Sequence, residues 1–155
     1  MEIKEFNYAD AMVNCKNQFG FENTGKLFEP RDSSTNTQVL ESAYLISPSS
    51  FHIGINDRDS EGTFQYATGG DLVYTNWLVG YPKNGEPNDC AETWDRTKWN
   101  DGSCYNRQTS ICEMAKHSAG AEGKVYHNSP ILIMGDIDLG LYYNRNLVCT
   151  ANPSL

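Results

Sequence analysis

The sequence predicts a single mixed α+β domain, and three observations carry that prediction. Two amphipathic segments with helix-start residues occupy the first third of the chain. Short apolar runs broken by turns follow from Phe51 onward, and a long Gly-, Asn- and Pro-rich stretch studded with aromatic residues interrupts them. At 155 residues the chain has material for one core with an appendage.

Asn7, with Asp10 three residues on, reads as the start of a first helix; Met12, Cys15 and Phe19 fall on one face and Gly20 closes it. Ser33-Ser34-Thr35 followed by Gln38 reads as a second cap, and Val39, Leu40, Ala43 and Tyr44 form an apolar stripe ended by Pro48. Residues 51–55, 63–67, 91–94 and 109–114 read as strands. Between about Gly69 and Asp89 the connection is too long for an ordinary loop, yet it holds Leu72, Tyr74, Trp77, Leu78 and Tyr81, which predicts an ordered, functional loop. Lys116 to Lys124 reads as a linker, followed by strand-like pieces at Val125-Tyr126 and Ile131 to Met134. The expected division is a domain over 1–114 and an extension over 115–155, with segment 124–134 packing beside strand 109–114 to cover an edge.

Twelve Lys and Arg against 20 Asp and Glu give a net charge of −8, which argues against nucleic acid and anionic lipid as partners. The surplus carboxylates serve solubility or supply oxygen ligands for a hard cation such as calcium. No apolar run approaches the roughly 20 residues of a membrane span. Met1 leads straight into Glu2-Ile3-Lys4-Glu5, so the expectation is a mature or truncated form of a secreted protein. His52, His117 and His127 have no zinc-like spacing. No nucleophile, base and orienting acid can be assembled and no phosphate loop is present, so an enzyme is not expected.

Two segments concentrate the chemistry: Gly85-Glu86-Pro87-Asn88-Asp89 and Trp99-Asn100-Asp101. Each sets a carboxylate beside an amide, the mixture of charged and neutral oxygens that calcium takes. Pro87 is placed to adopt a cis bond that turns its neighbours the same way.

Together with Gly54-Ile55-Asn56-Asp57, Glu61-Gly62-Thr63-Phe64-Gln65-Tyr66, Thr68-Gly69-Gly70, Tyr74-Thr75-Asn76-Trp77 and Ile111-Cys112-Glu113, these segments follow one family's order of landmarks. Over about residues 6–114 the chain resembles the carbohydrate-recognition domain of C-type lectins, particularly the mannose-binding proteins. The resemblance implies a C-type lectin-like fold of two helices, small antiparallel sheets and a long calcium-binding loop. It implies a principal calcium site of Glu86, Asn88, Asn100 and Asp101, with the Asp101 carbonyl as a further ligand. Two sugar hydroxyls would complete the coordination, hydrogen-bonded by the same side chains. An auxiliary site would fall on Asp57, Glu61 and Asp89.

By the same resemblance, disulfides join Cys15 to Cys112 and Cys90 to Cys104. Cys149 is left over, for a free thiol or for pairing in a homo-oligomer. The family usually places another acidic ligand several residues after the tripeptide. Here Asp89 runs directly into Cys90, so Asp89 or Glu92 substitutes for it, or the site lacks that ligand. Trp77, Trp94 and Trp99 are expected in the core, and Tyr81 is the aromatic candidate for sugar contact. The implied function is calcium-dependent binding of a monosaccharide or glycan terminus of mannose type, covering mannose, glucose and N-acetylglucosamine, by a secreted or extracellular protein. The alternatives are a protein-binding module on the same fold, and galactose binding through aromatic stacking.

Overall fold

Helix α1 (Tyr8–Gln18) begins where Asn7 Oδ1 accepts the Asp10 backbone N–H at 2.9 Å, so the side chain of Asn7 satisfies a donor the first turn leaves open. Tyr8, Ala11 and Cys15 are wholly buried at i, i+3 and i+7, and Met12 packs beside them. The computed structural model describes residues 5–18, 25–85, 87–114 and 131–134, the last four and Met114 by their backbone alone. Phe19, Gly20, Val125, Tyr126, Cys149 and two of the histidines, His117 and His127, lie outside the described residues.

Helix α2 (Ser33–Ile46) is capped one residue earlier than the sequence suggests. The Asp32 carboxylate accepts both the backbone N–H and the hydroxyl of Thr35 at 2.8 Å, one on each oxygen. Its buried face is Asn36, Val39, Leu40 and Ala43, and Ser47 closes it by donating to the Ala43 carbonyl.

The strands are β1 (Gly25–Leu27), β2 (Phe51–Asn56), β3 (Gln65–Tyr66), β4 (Cys90–Trp94), β5 (Lys98–Gly102), β6 (Thr109–Met114) and β7 (Ile131–Met134). They form one sheet in the order β1-β6-β2-β4-β5, with β3 on β2 and β7 on β6. Pairing is antiparallel except for β2 against β6, which is parallel, so the sheet is mixed. Cys112 is opposite Leu27 on one edge of β6 and Leu132 on the other. Strand β7 therefore lies along the edge of β6 that β1 does not occupy.

Two strands escaped the sequence reading. β1 has three residues, and β5 reads Lys-Trp-Asn-Asp-Gly, too polar to signal a strand although its last four residues are buried. The principal core gathers α2, β2 and β6 around Trp99, with Phe64 before β3 and Leu72, Tyr74 and Trp77 of the long loop packed against it. Disulfides Cys15–Cys112, Cα atoms 5.2 Å apart, and Cys90–Cys104, 5.1 Å apart, tie α1 to β6 and β4 to the segment after β5.

A buried acid sutures the loop side to the sheet. Glu29 accepts from Lys26 Nζ at 2.6 Å, Arg31 at 2.9 Å, and the backbone and hydroxyl of Thr68 at 2.8 and 2.7 Å. Gly54 makes room for it, since a Cβ there would stand 2.9 Å from Glu29 Cγ.

Candidate functional site

The long loop is held in place by β5. Leu78 donates its N–H to the Trp99 carbonyl at 2.7 Å, and Trp99 donates its own to Asn76 at 3.0 Å. The Trp99 indole N–H is satisfied by Asn36 Oδ1 at 2.8 Å, and its ring meets Tyr74 and Trp77 edge-on. Trp99 is thus the buried anchor that places Asn100 and Asp101 at the loop. Trp77 is half-buried against it, whereas Trp94, expected in the core, is 53% exposed at the end of β4, where the hairpin turn leaves nothing to cover it.

Asn100 and Asp101 are 6% and 5% exposed, facing β4 opposite Glu92 and Ala91. Asn100 Nδ2 donates to Glu92 Oε1 at 2.9 Å and to the Asp101 carbonyl at 3.3 Å, while its Oδ1 is buried without a partner. The Asp101 carboxylate accepts the backbone N–H of Lys83, at 2.9 Å to each oxygen, and that of Asn84 at 2.8 Å. Asn88 is half-buried, its N–H on the Gly85 carbonyl at 3.0 Å. Glu86 lies outside the described residues, as therefore does the peptide bond before Pro87. Among the described residues the cis bond is Tyr81–Pro82. Tyr81 is half-buried, and the Lys83 ammonium sits over its ring at 4.8 Å.

Asp57, Glu61 and Asp89 meet the loop's end mostly through backbone contacts. Asp57 N–H donates to the Asp89 carbonyl at 3.1 Å, and Glu61 Oε1 accepts from Gly85 N–H at 2.5 Å. Asp57 is 2% exposed; Oδ2 accepts from Gly62 N–H at 2.7 Å and Oδ1 has no partner, nor has Asp89 Oδ1. Burial pushes the Asp57 carboxyl above its usual range, and the charges of Glu61 and Asp89 push the same way. Crowded, partly unsatisfied carboxylate oxygens are the environment a hard cation relieves. Among the described residues no three His, Cys, Asp or Glu side chains close around a common point. The chemistry that fits calcium here is instead the set of buried oxygens without hydrogen-bond donors, Asn100 Oδ1 at one place and Asp57 and Asp89 Oδ1 at the other.

Two participants were not legible as such in the sequence. The loop amides of Lys83 and Asn84 reach Asp101 through backbone, which no side-chain pattern announces. Glu92, considered as a replacement ligand, instead has both oxygens on side-chain amides, those of Asn100 and Gln108.

The family model of the lectin C-type domain matches residues 4–114. This chain belongs to the C-type lectin family. The domain is similar to the mannose-binding protein of Gallus gallus, 44% identical over 90 residues that make up 57% of this chain and 34% of that protein. It is 35% identical to collectin-43 of Bos taurus over 113 residues, 69% of this chain and 33% of the other. The chain thus spans about a third of the length of these relatives. Among solved structures, the human scavenger receptor C-type lectin carbohydrate-recognition domain superposes with a TM-score of 0.62 at 23% identity, covering 70% of this chain and 83% of that one. The cow CD23 carbohydrate-recognition domain, solved in the presence of GlcNAc2Man3 oligosaccharide, gives 0.62 at 23%, covering 74% and 85%. These likenesses establish the C-type lectin fold. Membership in a family of non-enzymatic carbohydrate-binding domains agrees with the lack of a catalytic constellation in the sequence.

Proposed function

We propose that this C-type lectin domain binds a glycan terminus in a calcium-dependent way, with mannose-type preference. Glu86, Asn88, Asn100 and Asp101 would hold the principal ion, and Asp57, Glu61 and Asp89 an auxiliary one. The observation that carries the reading is the buried Asn100 Oδ1, which has no hydrogen-bond partner. A native protein rarely leaves such an acceptor unsatisfied, and a cation satisfies it. Bound calcium would polarise and anchor two sugar hydroxyls. The protein's own part is to accept from those hydroxyls with carboxylate oxygens and to donate with the Asn88 amide. Glu-Pro-Asn before β4 and the 44% identity to a protein named for mannose binding support the mannose type.

Two disulfides support an extracellular setting, and among the described residues no helix is long and apolar enough to cross a membrane. Galactose stacking on Tyr81 would compete with the Lys83 ammonium for one face of that ring. A second reading, ligand binding without the principal ion, is favoured by one observation. Asp101 already receives three backbone contacts from Lys83 and Asn84, donors with which a cation on both oxygens would compete. Calorimetric titration with calcium, then retention on immobilised mannose with and without a chelator, separates the two. Retention that survives the chelator would overturn the calcium-dependent reading.

A further inference from the structure

The Glu92 carboxylate is an anomaly in this hairpin. It is 7% exposed, has no cationic partner among the interactions described, and lies directly opposite Asn100 in the β4–β5 register. Its Oε1 accepts from Asn100 Nδ2 at 2.9 Å and its Oε2 accepts from Gln108 Nε2. The space it occupies exists because residue 102 is glycine: a Cβ there would stand 2.7 Å from Glu92 Oε1. Burying a carboxylate on amides alone is costly, so its placement calls for a compensating role.

We propose that Glu92 is the positioning residue of the candidate calcium site, turning the Asn100 amide so that Oδ1 is presented to the ion; this rests on the calcium-dependent reading above. A primary amide can be flipped, and in an uncommitted site its oxygen and nitrogen compete for the same place. A carboxylate accepts and never donates, so Glu92 admits only the nitrogen of Asn100. The Asp101 carbonyl takes the other N–H at 3.3 Å, which leaves Oδ1 as the free acceptor. Glu92 also supplies negative charge one side chain away from the ion, adding to Asp89, the one acid between Pro87 and Cys90. The arrangement consumes both Asn100 N–H groups, so a sugar hydroxyl would receive its amide donor from Asn88.

The test uses the full chain. In the calcium-free protein, NMR should show the two Asn100 side-chain protons slowed in exchange and shifted apart from those of an exposed amide. Calcium affinity, read by calorimetry, should fall 10- to 100-fold in Glu92→Ala, the range typical when a metal ligand loses its orienting partner. Glu92→Gln keeps an acceptor for Asn100 but adds a donor and removes the charge, so it should recover only part of that loss. Should Glu92→Ala fail to fold, the exchange measurement on the unaltered protein and the Gln variant carry the test. Fast-exchanging Asn100 protons, or equal affinity in the Ala variant, would overturn the proposal while leaving calcium binding intact. No calcium binding in the unaltered protein would instead overturn the functional reading, and with it the purpose assigned to Glu92.

Discussion

Lys83 and Asp101 are joined by a two-oxygen contact: the Lys83 backbone N–H lies 2.9 Å from both Oδ1 and Oδ2 of Asp101, 18 residues along the chain. Loop amides solvate the carboxylate that β5 presents. A cation bound here would compete with those amides for the same acid.

The first prediction follows from that competition. Calcium should raise the melting temperature, because a ligand that binds only the native state adds about 2.7 kcal/mol at a hundredfold excess over Kd. Asn100→Ala and Asp101→Ala should each abolish that increment. They should differ without calcium: Asp101→Ala also strands the Lys83 and Asn84 amides and should cost about 1 kcal/mol, since both residues are exposed and water replaces part of the loss. Differential scanning calorimetry of both variants, with calcium and with chelator, checks this. A melting temperature of the unaltered protein that ignores calcium would remove its basis.

The second prediction concerns acid. Burial raises the Glu29 carboxyl, but hydrogen bonds from Lys26 and Thr68 outweigh it and hold the folded-state pKa below the usual glutamate value. A depressed carboxylate stabilises the fold at pH above its unfolded-state pKa, and the contribution disappears as pH falls through the lower folded value. Glu29→Gln should therefore cost about 2 kcal/mol at neutral pH, and the difference from the unaltered protein should shrink below about pH 4. Chemical denaturation at pH 7 and pH 3 measures it. A gap that stays constant across that range would mean the charge of Glu29 is not what holds Thr68.

How much of this was legible in the sequence depends on where the information sits. The apolar stripe of Val39, Leu40 and Ala43 is periodic, and it marks α2 correctly. Asp32 was missed as a cap because three hydroxyl residues follow it and compete for the same reading. β5 was missed for a deeper reason: Asn100 and Asp101 are buried polar residues, so the pattern that normally betrays a strand is absent where a site has been built into it. Had β5 been recognised, the turn at 95–97 would have set Glu92 opposite Asn100. The bond between Asp101 and the Lys83 backbone lies beyond any residue pattern, since it depends on how the loop returns.

The third prediction concerns the extension. Strand β7 pairs with Ser110 through Glu113 along the edge of β6 that β1 does not occupy. Ending the chain at Lys116 should expose that edge to pairing between molecules. Light scattering should then reveal concentration-dependent aggregation absent from the full chain. A truncated protein that stays monomeric and melts at the same temperature would show that β7 protects nothing.

The fourth prediction is sugar preference. With Glu86 before Pro87 and Asn88 after it, the site should favour vicinal equatorial hydroxyls, as in mannose, glucose or N-acetylglucosamine, over the equatorial–axial pair of galactose. Discrimination should be modest, because with Asn100 donating to Glu92 and the Asp101 carbonyl only one amide remains to sense hydroxyl geometry. Millimolar affinity, about −4 kcal/mol, is expected for one sugar at a single site, with tighter binding only through multivalency. Competition with free sugars in calcium buffer measures the order, and galactose outcompeting mannose would contradict it. Exchanging the flanking residues, Glu86→Gln with Asn88→Asp, moves the donor from one side of Pro87 to the other while keeping one carboxylate and one amide. Calcium should still bind, and preference should shift toward galactose. If this variant retains calcium yet binds neither sugar, the side chains around the loop, rather than the order of donor and acceptor about Pro87, set the specificity.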